Sequence, residues 1–416
     1  PGALRDSTAG VPEPQADTDI DSASRQPASL STIVVAGSGS QGSGVQKPFE
    51  SARTLEEAIA RWEADPSIER IVLSDPSIRI VKPISMGRTP GNRTLRLEGS
   101  GTVRPLLVLG DVAGRLPSDL VASWLMLDGA SVELRGLDID AIYNVFEGVP
   151  PAVFQIASGS RLRLIDSTIT LKSAPSGRLP SIFCFKNPST QPAGASSIQL
   201  DRSAIRGQGD VIRVESNDRV EIELNEIWAA VAGSMIDIEG SKTMNRSPRV
   251  RAELNHVTSI TLNPWIRVRM GTANPYPVPF VRIANESIFS GSQTLVEWDA
   301  SNVVDWPFSE QVNRVDDLGR WIDLRGMDNV YDVPTIMRLL QVIMSMSSEE
   351  VSIDSDSNLL RNERGMELHS AWQTAPPWEI ARMHTIVPKW TDGSSSSLNP
   401  GCHPDQLPPF PSRGIP

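Results

Sequence analysis

The chain has 416 residues, 39% hydrophobic and 21% charged, enough for two or three ordinary domains or for one elongated solenoid that needs no single large core. A formal net charge of -11 excludes a general nucleic-acid binder, because phosphate neutralisation needs clustered Lys and Arg. The two cysteines, Cys184 and Cys402, supply neither a disulfide framework nor a metal-ligand set, and no apolar run reaches the roughly 20 residues that span a bilayer.

Residues 1–30 are rich in Pro, Ala, Ser, Asp and Thr and hold too few large apolar side chains to offset the entropy of ordering, so a disordered linker or stalk is expected there. STIVV (31–35) is the first predicted strand, and GSGSQGSG (37–44) follows it as flexible punctuation. In TLEEAIARW (54–62), Leu55, Ile59 and Trp62 fall at helical spacing, with Thr54 and Glu57 placed as a capping box. The reading is a short amphipathic helix that closes an open end.

From IERIVLSDP (68–76) onward the period changes to two, with β-branched residues alternating against polar ones. The stretch VEIELNEI (220–227) has apolar residues at its first, third and eighth positions, and five segments repeat that spacing: VELRGLDI (132–139), LRLIDSTI (162–169), IQLDRSAI (198–205), VRAELNHV (250–257) and VRIANESI (281–288). Each has a companion strand upstream, in order LML (125–127), FQI (154–156), FCF (183–185), IRV (212–214), IDI (236–238) and IRV (266–268), and VEW (296–298) and IDL (322–324) continue the companion series beyond the last copy. Short strands repeated in this way predict the rungs of a parallel coil whose in-facing residues stack in columns. Two outward columns are then expected to face water as charge ladders. One holds Glu133, Arg163, Gln199, Glu221, Arg251 and Arg282, and the other Arg213, Asp237, Arg267, Glu297 and Asp323. Asn225 and Asn255, like Ser167 and Ser203 in earlier copies, are expected to satisfy backbone groups at a bend.

Insertions at 172–181, 187–196, 241–248 and 271–279 interrupt the repeat and would form a binding face. VPTIMRLLQVIMSM (333–346) reads as a capping helix, and the polar, then Pro-rich remainder as an irregular wrap ending in a loose tail. The resulting division is 1–30 linker, 31–335 solenoid with its N-terminal cap, and 336–416 C-terminal cap, wrap and tail.

STIVVAGSGSQGSG followed by TLEEAI and RIVLSDP resembles the opening of right-handed parallel β-helix proteins of the pectate-lyase-like superfamily, over about 31–324. The fold this implies is all-β, a right-handed parallel β-helix with an N-terminal capping helix and an irregular C-terminal wrap. The motifs speak for fold rather than activity, since lyases, hydrolases and non-catalytic adhesins share them. TLEEAIARWEADPSIERIVLSD, DNVYDV (328–333) and GCHPDQLPPFP (401–411) further resemble β-helix regions attached to membrane-bound Ser/Thr protein kinases of planctomycete bacteria. That resemblance implies an extracytoplasmic location and a stalk at 1–30. The kinase HRD and DFG tripeptides do not occur, so this chain is not itself a kinase.

Gly37, Gly39 and Gly42 match G-x-G-x-x-G, but no helix opens at the third glycine and no βαβ unit follows, so no dinucleotide site is assigned. Asp138 and Asp140, like Asp237 and Glu239, are i, i+2 carboxylate pairs that share a strand face, an arrangement common on any polar sheet. A catalytic role for His256 would need a partner that its neighbours in the chain do not supply, and His369, His384 and His403 lack metal-ligand spacing. No catalytic residue, metal or cofactor is assigned. Trp265, Arg267 and Arg269 are the candidate ligand contacts: a ring to stack on a sugar and two same-facing guanidinium groups to pair with a carboxylate. The bland alternative is an edge Trp packed under the 271–279 loop, with both Arg in the charge ladder. A non-catalytic recognition module for polysaccharide or cell-envelope material is expected first, a polysaccharide lyase or hydrolase second, and a structural spacer third.

Overall fold

The computed structural model describes residues 31–35, 50–74, 78–80, 82–100, 104–110, 123–143, 151–173, 179–186, 194–244, 247, 249–303, 321–327, 329–331, 338–344, 363–364, 401–402 and 406–409. All of them belong to the unit that starts at Ser31, and the proposed linker 1–30 and the glycine run 37–44 lie outside them.

The fold is an all-β parallel solenoid. Among the described residues its strands form two sheets, one large and one of nine strands, and their strand pairings are parallel. The large sheet turns a corner, so each rung contributes to it twice. In three successive rungs the two segments are continuous as Ser196–Gly207, Val220–Val231 and Val250–Thr261. The interior is a set of stacked columns. In one of them Ile71, Leu97, Leu134, Leu164, Leu200, Leu224, Leu254 and Ala284 follow strand by strand, all buried.

The register differs from the repeat alignment in an instructive way. Ile222, not Val220, lies opposite Ile198, while Val220 lies opposite Ser196 and adds a further inward position. A two-residue slip leaves every side chain on its own face, so the assignment of in and out survives there. Glu223, rather than Glu221, therefore continues the Glu133–Arg163–Gln199 column, and Glu221 lies opposite Arg251 in the register. At the next strand, Phe280–Asn285, the slip is one residue and the faces invert. Val250 pairs with Phe280 and Ala252 with Arg282, so Arg282 is an interior residue between Ala252 and Leu324, with 0% exposure. The guanidinium lies 4.7 Å from the Phe289 ring centre, close enough for a cation–π contact.

At the corner of the large sheet one residue per rung takes a left-handed conformation: Gly136, Asp166, Arg202, Glu226, His256 and Glu286, with φ from 43° to 63°. Only the first is glycine. The turn beside it is closed by hydroxyls stacked across rungs, as Ser167 Oγ accepts from Leu137 N at 3.1 Å and Ser203 Oγ accepts from Ser167 N at 3.3 Å. The serine part of the bend expectation is therefore met.

Seven companion strands stack in one register in the nine-stranded sheet, from Leu125 through Phe154, Phe183, Ile212, Ile236 and Ile266 to Val296. The eighth does not join them. Asp323 lies in the large sheet opposite Val281, and the vacant column position belongs to Gln341. This overturns the helix expected within 333–346, because Arg338–Met344 is a strand that extends the nine-stranded sheet. Leu340 and Val342 are buried on either side of half-exposed Gln341, the period of a strand, and sheet pairing outweighed helix propensity.

Helix Leu55–Ala64 forms as expected, with Thr54 Oγ1 accepting from Glu57 N at 3.1 Å. The reciprocal bond goes to Arg53 N rather than to the cap residue. Leu55, Ala58, Ile59 and Trp62 are buried, and Arg93 lies 4.5 Å above the Trp62 ring while donating to the carbonyls of Trp62, Asp65 and Ile68. One guanidinium thus closes the helix C-terminus and ties it to the first rungs.

Candidate functional site

The sequence trio is divided by the wall of the solenoid. Trp265 precedes strand Ile266–Gly271 and turns inward: its exposure is 2%, its Nε1 donates to Ser259 Oγ at 2.9 Å, and its ring meets Phe289 edge-on. It packs in the core and presents no face to solvent. Arg267 and Arg269 do share the outer face, where both bind acids of neighbouring rungs. Arg267 lies 2.8 Å from Glu297 and 3.2 Å from Asp299, and Arg269 pairs with Asp237.

These residues belong to a column in which Arg213, Asp237, Arg267 and Glu297 follow in register, as anticipated. It is not a solvated ladder, since Arg213, Asp237 and Glu297 are all buried. Asp210 lies against it, accepting from Ser234 N at 2.9 Å and lying 3.3 Å from an Arg213 nitrogen. Burial first, and the Asp237 carboxylate second, push its carboxyl up to about 7. The folded protein therefore keeps a proton that the unfolded chain, titrating near 4, has already lost. Stability from this group is fully present below about pH 4 and is lost as pH rises through 7. Asp210→Asn is expected to gain melting temperature relative to the parent between pH 5 and pH 8. A difference that stays flat across that range would mean Asp210 is ionised throughout.

Asp138 and Asp140 also lie on an outer face, that of the second segment of the large sheet, and both are buried. Asp138 accepts from Thr168 Oγ1 at 2.7 Å and lies 3.0 Å from Arg104 Nε. Asp140 is set among Thr170, Lys172 and Arg206. Burial raises both carboxyls above the ordinary range while these cations oppose it. Each acid is engaged by the neighbouring rung, an arrangement that locks a sheet face. Asp237 and Glu239 are likewise committed, Glu239 accepting from Asn274 Nδ2 at 2.8 Å. That contact, with the backbone pairing of Ser241 and Tyr276, joins the 271–279 insertion to the one beginning at Ser241.

The polar array with groups still free to bind is at the corner. Asn225 donates to Asp201 at 3.1 Å, Asn255 to Asn225 at 2.9 Å and Asn285 to Asn255 at 3.0 Å, and Arg163 extends the chain by donating to Asp201. The asparagines expected to bond backbone at a bend instead bond one another. Beside them runs the left-handed row, with Arg202 paired to Asp166 at 2.7 Å and His256 3.4 Å from Glu286. An amide has two N–H donors and two acceptor positions, so a ladder that uses one of each leaves one of each per residue. Asn225, Asn255 and Asn285 are half-buried, which fixes their orientation and keeps an edge open. Sequence reasoning noticed two of these asparagines; the ladder itself depended on a register that the apolar pattern did not specify.

Among the described residues no group of three or more His, Cys, Asp and Glu side chains is placed to hold a metal, and no helix is long and apolar enough to cross a membrane. His369, His384 and His403 lie outside the described residues. Neither family models, nor curated proteins, nor solved structures gave a match to this chain.

Proposed function

We propose that the protein is a non-catalytic recognition module for an extended, hydroxyl-rich polymer, a polysaccharide of cell-wall type. The observation that supports it is the corner ladder Asp201–Asn225–Asn255–Asn285, which repeats a donor and an acceptor once per rung. Parallel strands set that repeat at about 4.8 Å, a periodic track suited to a periodic ligand. Glu223, Glu226, Glu253 and Glu286 flank the track and the chain carries a net charge of -11, so a neutral or amino-bearing glycan suits it better than an acidic one. The engagement of Asp138, Asp140 and Asp237 by cations favours this reading over hydrolysis. The resemblance to β-helix regions of receptor kinases extends the proposal to an extracytoplasmic sensor region of a signalling protein.

Co-sedimentation with insoluble cellulose, chitin, chitosan and peptidoglycan tests the reading. Retention on at least one of them is expected, weakened about tenfold by Asn255→Ala, the loss of roughly one good hydrogen bond to ligand. Circular dichroism of the variant must match the parent. Failure of the parent to bind any of the four, or retention unaffected by Asn255→Ala, would overturn it.

A further inference from the structure

The hydrogen bonds of the corner ladder all point one way. Asn285 donates to Asn255, Asn255 to Asn225 and Asn225 to Asp201, whose second oxygen accepts from Arg163 at 2.9 Å. A carboxylate only accepts, so Asn225 must turn its N–H toward Asp201, and that choice sets the direction of every bond after it. At this end the acceptor is satisfied by a guanidinium. The other end is open: the next strand sets Met327 opposite Asn285, and among the described residues no side chain donates to Asn285 Oδ1.

Charge on the same three rungs is uneven. Glu223 lies directly opposite Glu253 on one flank of the ladder, and Glu226 and Glu286 stand with His256 in the left-handed row on the other. Near these four carboxylates are Arg251, which donates to Glu253 at 2.7 Å, His256, 3.4 Å from Glu286, and Arg202, which is paired with Asp166. Glu223 is exposed and takes part in none of these pairs. Like charges directly opposite one another on neighbouring strands repel, so Glu223 against Glu253 costs stability until a cation lies between them. The tail expected to be loose is seated beyond the left-handed row, where Gly401 N donates to Glu286 O at 2.5 Å and Cys402 N to Thr258 Oγ1 at 3.1 Å. The flank of Glu223 and Glu253 is the one turned to solvent, since Glu253 also keeps a side-chain exposure of 42%.

Donors and acceptors along this track therefore do not balance. The glutamates only accept and the amide chain ends on an oxygen, so a ligand that completes the surface must bring donors in excess and positive charge. A hydroxyl brings a donor together with acceptors, whereas an ammonium brings three donors and no acceptor. We propose that the polymer read by the track carries free amino groups and belongs to the polyglucosamine class. Its hydroxyls meet the amides, and its ammonium groups meet Glu223, Glu253 and the open oxygen of Asn285. This rests on the corner ladder being the glycan site and adds which glycans it selects. Glu223, two positions from Asn225 on the same strand face, is the specificity-determining residue.

Soluble hexamers of glucosamine and of N-acetylglucosamine differ only at the nitrogen and separate the two levels of the reading. Calorimetric titration of the full chain is run at about pH 6, where the sugar amine is a cation. The glucosamine hexamer is expected to bind at least ~10-fold more tightly, a preference that falls below ~3-fold when salt is raised from about 50 mM to about 500 mM. Glu223→Gln should weaken the glucosamine hexamer by ~5-fold or more and leave the acetylated one unchanged, whereas Asn255→Ala weakens both alike. Glu69→Gln, the same loss of charge at an exposed position on strand Ile68–Leu73, should change neither. Equal affinity for the two hexamers, or a preference that Glu223→Gln reduces no more than Glu69→Gln does, overturns the proposal while Asn255-dependent binding of both upholds the glycan reading. Binding of neither hexamer also overturns it, and retention on the four insoluble polymers then decides the glycan reading separately.

Discussion

Ile222→Asp is expected to remove most of the stability of the stack, while Glu221→Gln, one residue away, changes it by less than about 0.5 kcal/mol. Ile222 is an interior residue between Ile198 and Ala252, with 1% exposure. Losing its burial costs about 1.5–3 kcal/mol, and a carboxylate in its place has no partner in an apolar column, which adds a penalty of several kcal/mol or forces protonation. The sum, above about 5 kcal/mol, is comparable with the whole stability of many domains. Glu221 faces out and pairs with Arg219 at 3.0 Å, with both side chains well exposed, so its charge contributes little. Urea unfolding followed by circular dichroism separates the two, and equal tolerance would mean that the faces of this strand are wrongly assigned.

Gly207→Val is the second large effect, and it acts through the backbone. Gly207 lies between Leu171 and Val231 in the large sheet with φ 135°, and a Cβ there would collide with the Leu171 carbonyl oxygen and come within 2.8 Å of Leu171 N. Neither is a flexible side chain that can step aside. The conformational penalty of about 1–3 kcal/mol and the overpacking penalty of a similar 1–3 kcal/mol both apply. Gly159→Ala provides the comparison, since Gly159 has φ 73° and open space around its Cβ position. Only the left-handed penalty of about 1–2 kcal/mol is expected there. Thermal melts that place the two variants together would show that the sheet yields at Gly207.

The solenoid is legible in the sequence because burial enforces a period of two, and seven companion strands from Leu125 to Val296 align by eye into the register they adopt. What the period does not carry is position along the strand, the choice between helix and strand in a short apolar run, and where a strand begins. The repeat alignment sets Glu221 in the column that Glu223 occupies, because the slip between them leaves the apolar pattern unchanged. Arg338–Met344 has apolar residues dense enough to suit a helix or a strand, and only the open edge of the nine-stranded sheet decides between them. Alternation at i, i+2 puts Trp265 on the face of Arg267, but it fails where the chain is still turning into the strand. The corner ladder and the seating of Cys402 on the large sheet join residues far apart in sequence. Thr258 and Cys402 are separated by 144 positions, and no local pattern could bring them together.

The inward placement of Arg282 gives the strand Phe280–Asn285 a competitor within its own sequence. Shifted by one residue, the strand would set Val281 opposite Val250 and Ile283 opposite Ala252, returning the arginine to solvent. By hydrophobicity alone that alternative is the better strand. It would, however, carry Asn285 into the column of Leu254, break its bond to Asn255 and withdraw Phe280 from between Val250 and Ile322. The native arrangement is thus chosen by an amide and an aromatic ring against the local apolar preference, a point of frustration in a landscape that elsewhere agrees with itself. On the rungs on either side the apolar pattern settles at least which face is inward; on this strand even the face is settled by its neighbours.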